Sequence, residues 1–267
     1  MHAYKNIIEP RLIELDLDKV KKYCHKDNSF LSLFIFSWST IIPQGESNFI
    51  RLANLVKSDI TNENIKKNID LFIKQEVNHQ KIHKIYNDKI FQKDFDTRFI
   101  VKREEFLRSL NKKYYVKNKN NYGSFSYRLY MSERFSEAFA LWFLDIDSEF
   151  HSEEKKLWTW HSLEEIEHNF LGGDLLENYN SPSKLKQIIM KLKITSWFLE
   201  IFFRTFAFSS KDGLFKKVSF YKDIIRFFFT FKYFPKLIIY VIKTIIFERE
   251  ILTKKNYINS LPINQSY

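Results

Sequence analysis

The sequence predicts an all-α protein, a four-helix bundle core followed by additional helices. Gly and Pro number only five each in 267 residues, too few to supply the turns of a β-rich chain of this length. Hydrophobic residues make up 45% and charged residues 28%, a balance that supports one well-buried core and excludes disorder as the dominant state. Long segments also carry apolar residues at helical spacing. We divide the chain into an N-terminal extension (1–29), a bundle core (30–180) and C-terminal helices that pack on or near the core (181–267).

Taken in order, the aromatic run from Phe30 to Ile42 ends at Pro43, and a helix follows from Gln44 to Ile60 with Glu46, Phe49, Ile50 and Ala53 at helical spacing. Thr61 or Asn62 caps the next helix, which runs through Leu71, Phe72 and Val77 to about Tyr86 and is stopped by Asn87 and Asp88. A connecting helix over Ile100–Leu110 and a polar loop over Lys112–Asn121 form the crossover that two helix pairs require. The third bundle helix runs from about Tyr122 to Phe150. The fourth starts at a Ser152 cap and loosens at Gly172 and Gly173. A fifth begins at Pro182 and runs through Phe206, and Asp212 with Gly213 marks a break. The tail Leu214–Leu252 is rich in Phe and Ile, but Arg226, Lys232, Lys236 and Lys243 interrupt it. No stretch therefore reaches the roughly 20 apolar residues of a membrane span. It reads as a helical pair covering the core, with a second reading as a membrane-surface element, because aromatic and basic residues sit together over 214–252.

The net charge of +11 raises nucleic acid as a partner, yet no arginine-rich run or stacking motif accompanies the lysines. They read as a solvated surface spread along the chain, with no nucleic-acid partner. Cys24 is the only cysteine, so no disulfide forms within the chain, which fits a cytoplasmic protein. The segment Met1–Glu14 lacks the apolar stretch of a signal peptide.

The candidate chemistry lies in two segments. Glu76, His79 and His83 stand at i, i+3 and i+7, within an arc of about 60° on a helix turning about 100° per residue. His161, Glu164, Glu165 and His168 fall within about 100° on another helix, and Glu165 with His168 repeats the Glu-x-x-His spacing. Each copy has a glutamate on the preceding helix: Glu46 lies 30 residues before Glu76, and Glu133 lies 32 before Glu165. Five of the seven histidines lie beyond the first 26 residues, and four of those five fall on these two helices. One Glu from each of two helices and a Glu-x-x-His from each of two others is the arrangement by which ferritin-like bundles hold two metals. Carboxylates bridge and neutralise two divalent cations, and imidazoles supply a nitrogen to each, a donor set that suits Fe, Mn or Zn. The candidate metal ligands are therefore Glu46, Glu76, His79, His83, Glu133, His161, Glu165 and His168. Glu164 and Glu137 are candidates for moving a proton. Glu153, Glu154 and Glu167 read as solvent-facing.

Pro43-Gln44-Gly45-Glu46, Phe72-Ile73-Lys74-Gln75-Glu76 followed by His79, His83, Tyr86 and Asn87, and Trp158-Thr159-Trp160-His161 followed by Glu164, Glu165, Glu167 and His168 resemble the predicted metal-dependent hydrolases of bacteria. Glu133 with Phe135 and Ser136 adds to the likeness, which spans roughly Phe30–Asp174. The resemblance implies a metal-dependent enzyme, nominally a hydrolase, acting on a small molecule undefined at the family level. The same ligands suit a second reaction class, oxygen activation by a di-iron centre on an apolar substrate, and a third, a non-catalytic metal-binding or partner-binding scaffold.

Overall fold

A computed structural model describes residues 8–94, 98–117 and 120–246. The expected terminal segments are thus followed only between Ile8 and Ile246, and the rest of them lies outside the described residues. Among the described residues all regular secondary structure is helical, apart from one isolated bridge between His25 and Phe150.

Helices α1 (Ser29–Lys57) and α2 (Glu63–Asp94) form one pair, and α4 (Tyr122–Ile146) with α5 (Ser152–Glu177) forms the other; α3 (Arg98–Lys117) connects them. The pairs pack through α1 against α4 and α2 against α5. After them come α6 (Lys184–Thr195), α7 (Trp197–Lys211), α8 (Val218–Phe229) and α9 (Phe234–Val241), the last widening into a π turn at Ile242–Ile246. Helix α1 is the centre: every residue from Phe30 to Ile42 is buried, as expected of a helix apolar on all sides. Its Phe30 and Phe34 pack on Phe227 of α8, so the C-terminal helices complete the core.

Four interruptions expected from the sequence are absent. Pro43 lies inside α1. Proline has no N–H for the carbonyl four residues back, and that carbonyl, on Ser39, accepts the Asn87 Nδ2 amide instead at 3.0 Å. Asn87, read as a helix stop, thus lies within α2 and repairs α1. Gly172 and Gly173 also lie within a continuous α5. A Cβ on Gly172 would stand 3.0 Å from Tyr130 Cδ2 and 3.3 Å from its Cα, so this glycine permits α4 and α5 to approach. The polar stretch from Lys112 extends α3 to Lys117, since lysine and tyrosine tolerate a helix well enough when tertiary packing favours it.

Other boundaries follow local chemistry. Asn28 and Asn121 cap α1 and α4 by accepting the N–H of Leu31 and Ser124, and Asn62 does the same for Asn64 and Ile65. At α5 the cap position belongs to His151, without a side-chain bond, and Ser152 is the first helical residue. The single fifth helix is two, because Thr195 and Ser196 hydroxyls bond back to Lys191 and Lys193 carbonyls and end α6. Gly213 adopts φ 64°, the left-handed conformation that marks the expected break.

The extension is also ordered by the core. From Glu9 to Lys21 it runs antiparallel to α5 as a strap. The backbone N–H groups of Glu9, Arg11, Asp16 and Lys21 donate to Glu167, Glu164, Glu153 and Glu154. Three glutamates expected in solvent therefore bind backbone, and Glu154 and Glu167 are fully buried. An extended segment must place its N–H groups somewhere, and a row of carboxylates on α5 accepts them.

Candidate metal centre

All four bundle helices aim acids and imidazoles at one interior region. Helix α1 supplies Glu46, α2 supplies Glu76 and His79, α4 supplies Glu133, and α5 supplies His161, Glu165 and His168; each of the seven is buried. Two donor sets result. Ligand atoms of Glu46, His79, His161 and Glu165 lie within 4.8 Å of one another, as do those of Glu76, Glu165 and His168. Glu165 belongs to both. Glu133 joins the second set, its Oε2 3.2 Å from His168 Nδ1, and Glu76 Oε1 stands 3.0 Å from the same nitrogen.

The histidines are held by their far sides. His168 Nε2 stands 3.0 Å from Gln75 Oε1, and because an amide oxygen only accepts, Nε2 carries a proton and donates it there, leaving Nδ1 as the nitrogen that faces the carboxylates. Gln75 is itself fixed, donating from Nε2 to Glu167 Oε2 at 2.9 Å, and Arg11 Nη2 reaches Glu167 Oε1 at 2.5 Å. His79 Nε2 lies 3.0 Å from Glu164 Oε2, short though poorly aligned, while its Nδ1 lies 3.5 Å from both Glu46 and Glu165. Glu164 Oε1 accepts the Arg11 N–H at 2.7 Å. A carboxylate behind His79 and an amide behind His168 are the support that metal-binding histidines usually have, whereas His161 Nδ1 is buried without a hydrogen-bond partner.

The electrostatics are those of a crowded acid cluster. Burial, with Glu76 beside it, holds Glu46 well above the usual carboxylate range, and burial pushes Glu133 up to about 8. Burial also opposes ionisation of Glu165, but His161, His168 and His79 outweigh it and hold that carboxyl well below its ordinary value. For His79 and His168 burial disfavours the cation, yet the surrounding glutamates win and raise both well above the ordinary imidazole value.

The residues fit divalent cations. Both oxygens of Glu76, Oε2 of Glu46, Oε1 of Glu133, Oε2 of Glu165 and Nδ1 of His79 are buried without a hydrogen-bond partner. Such atoms are costly to leave bare. Their types, carboxylate oxygen and imidazole nitrogen, are those that Fe, Mn and Zn accept.

A family model described as a predicted metal-dependent hydrolase matches residues 9–252. The chain belongs to this family. The matched span extends past the Phe30–Asp174 stretch that carries the sequence resemblance, so the hydrolase-family region takes in both the strap and helices α6–α9. No curated protein and no solved structure matches the chain.

Three residues expected in the site of this hydrolase-family protein stand elsewhere or differently. Glu164 is not a spare carboxylate: it lies behind His79, held by the strap. Glu137 is paired with Arg134 at 2.7 Å, and Arg134 in turn donates to the Thr244 carbonyl at 3.4 Å, so that acid serves the contact between α4 and the π turn. His83 does not join either donor set. Its Nδ1 is 2.8 Å from Ser39 Oγ, and Ser39 gives its single proton to Asn87 Oδ1 at 2.7 Å. His83 Nδ1 therefore carries the proton, and Nε2 keeps a lone pair without a hydrogen-bond partner. Burial, with His161 and His79 nearby, holds this imidazole neutral, well below its ordinary value. Its ring stands 4.8 Å from that of His161.

Arg11, Gln75, Glu167, Ser39 and Asn87 escaped sequence reasoning as working parts of the site. Gln75, Asn87 and Glu167 stand among the residues that carry the family resemblance, and Gln75 and Glu167 each directly precede a candidate ligand; those were the available signals. Arg11 lies in a segment without periodicity and carried none.

Proposed function

We propose that the chain is a hydrolase that holds two divalent cations and acts on a small-molecule substrate. Glu46, His79 and His161 would hold one cation and Glu76, Glu133 and His168 the other, with Glu165 within reach of both. The observation that carries this reading is the position of Glu165 in both donor sets, among buried carboxylate oxygens that have no other partner. Bound divalent cations supply Lewis acidity and lower the pKa of water at the site.

The chain's own groups do the rest. Glu164 and Gln75 keep the Nδ1 atoms of His79 and His168 directed inward. Trp160, Trp158 and Phe72 set ring edges on His79, His83 and His168, with centroids 4.8, 4.9 and 4.6 Å away, and exclude bulk water. His83 Nε2, buried without a hydrogen-bond partner and with its ring 4.8 Å from that of His161, is an acceptor that can orient an attacking water by its hydrogen bond, in place of Glu164 or Glu137. A narrow cavity lined by Ile35, Trp38, Phe139, Phe143, Trp158 and His161 reaches the histidine side of the site. Its aromatic walls suit an apolar substrate group.

That cavity also supports the second reading, oxygen activation, since a space so small and mostly apolar suits a diatomic gas. Metal analysis of the full chain tests both. We expect two zinc or manganese ions per chain, hydrolysis of simple esters or phosphoesters, and at most one ion with no hydrolysis in Glu165→Ala. Iron with an oxygen-dependent near-ultraviolet band and no hydrolysis favours the oxidase. Absence of stoichiometric metal under all loading conditions would remove both.

A further inference from the structure

The net charge of the chain is not spread along it. Residues 1–181 carry 27 basic and 27 acidic side chains, whereas residues 182–246 carry 13 basic and 3 acidic, leaving +10 of the total +11 on helices α6–α9 and their links. The expectation of a uniformly solvated basic surface is corrected by this count.

The same helices expose large apolar side chains in ordered stripes. On α6, Leu185, Ile188, Ile189 and Leu192 are exposed, Leu185 at 68% and Leu192 at 65%. They occupy an arc of about 100°, opposite the buried Ile194. Lys184 and Lys191 flank that arc on one side, Lys186 and Lys193 on the other, each about 40–60° beyond its edge. Helix α8 repeats the pattern. Val218, Tyr221, Ile225 and Phe229 are exposed, Val218 at 75% and Phe229 at 82%, within about 80°, while Phe220 and Phe227 on the opposite side enter the core. Lys222 and Arg226 lie beyond one edge of this stripe and Lys217 beyond the other. A helix that buries one apolar face in its own protein and displays a second is not explained by folding.

We propose that α6 and α8 lie on an anionic lipid surface, with their exposed apolar stripes among the acyl chains and the flanking lysines and arginine at the headgroups. Basic residues on both flanks of an apolar stripe are what an interface between hydrocarbon and anionic headgroups selects. A second copy of the chain fits poorly, because it would set +10 against +10 across the contact. Nucleic acid fits poorly because the stripes' centres offer it nothing. The helices lie on the surface and do not cross it: among the described residues none is long and apolar enough to span a bilayer. This proposal is independent of what the metal centre does.

The test is cosedimentation of the full-length chain with vesicles of phosphatidylcholine, with or without about 30% phosphatidylglycerol. We expect binding to the anionic vesicles at least tenfold tighter than to neutral ones, weakened by roughly 0.5 M salt. Ile188→Asp with Leu192→Asp, and separately Ile225→Asp with Phe229→Asp, should each weaken it tenfold or more, with circular dichroism unchanged because these positions are exposed. Lys184→Glu with Lys193→Glu should erase the preference for anionic over neutral vesicles. Equal binding by wild type and the aspartate variants overturns the proposal. So does a concentration-dependent oligomer that those variants dissolve while vesicles are ignored, which would assign the stripes to a second copy.

Discussion

Arg11 reaches both halves of the site from outside the bundle. Its backbone N–H holds Glu164 behind His79, and its guanidinium holds Glu167, which holds Gln75 behind His168. Gln75→Leu cuts the second leg alone, whereas Arg11→Ala keeps the N–H to Glu164 and loses the guanidinium, which stands 2.5 Å from Glu167 and 3.8 Å from Glu164. We expect Gln75→Leu to lower affinity for one cation about 10- to 100-fold and to leave the other nearly unchanged, since outer partners of ligand histidines carry that much; Arg11→Ala should act in the same direction more weakly. Isothermal titration with zinc reads both, and loss of the two cations together would refute the separation. Asn87 offers a second residue-scale test. It donates to Ser39 O beneath Pro43 and accepts from Ser39 Oγ, so Asn87→Ala should cost about 2–4 kcal/mol in urea unfolding, from two buried hydrogen bonds. In a Pro43→Ala background residue 43 regains an N–H for Ser39 O, and the penalty of Asn87→Ala should shrink. An unchanged penalty in that cycle would mean that the proline gap is not what Asn87 fills.

Between helices, the distance from α4 to α5 decides whether Glu133 and His168 meet. Gly172 lies one turn beyond His168, and Tyr130 one turn before Glu133, where a Cβ on the glycine would press on Tyr130 backbone at 3.3 Å. Gly172→Ala should therefore destabilise by about 1–3 kcal/mol through overpacking, and it should widen the Glu133–His168 contact enough to weaken metal binding. Gly173 has open space, so Gly173→Ala should be neutral or stabilising by up to about 1 kcal/mol; thermal melts of the pair check the contrast. The same glycines show where the sequence was readable and where it was not. The placement of Glu46, Glu76, His79, Glu133, Glu165 and His168 on one interior was legible, because helical periodicity is local and six residues repeating it twice leave little freedom. Pro43, Asn87 and Gly172 were misread as breaks because each answers to a neighbouring helix, and a propensity carries no record of the neighbour. The two-helix split at Ser196 and the strap were hidden for the same reason.

Across the whole molecule, the bundle is charge-balanced, the tail holds the positive charge, and the strap is pinned to the bundle by buried acids. Glu154 is the acid with most to lose: its Oε1 accepts the Lys21 N–H at 2.7 Å, and its Oε2 is buried without a hydrogen-bond partner. Burial pushes this carboxyl from 4.5 up to about 7. Between those values the folded chain keeps a proton that the unfolded chain has released, so this group makes stability fall as pH rises across that window and level off above it. Glu154→Gln removes the titration yet keeps an oxygen for the Lys21 N–H. We therefore expect the variant and the wild type to unfold at similar urea concentrations at pH 4.5 and to diverge by pH 8, where the variant should be more stable by up to about 3 kcal/mol. Every other titrating group is common to both proteins, so the difference between their two pH profiles isolates this carboxyl. Parallel profiles would mean that the strap leaves Glu154 open to water and that its buried position does not govern how the N-terminal segment is held.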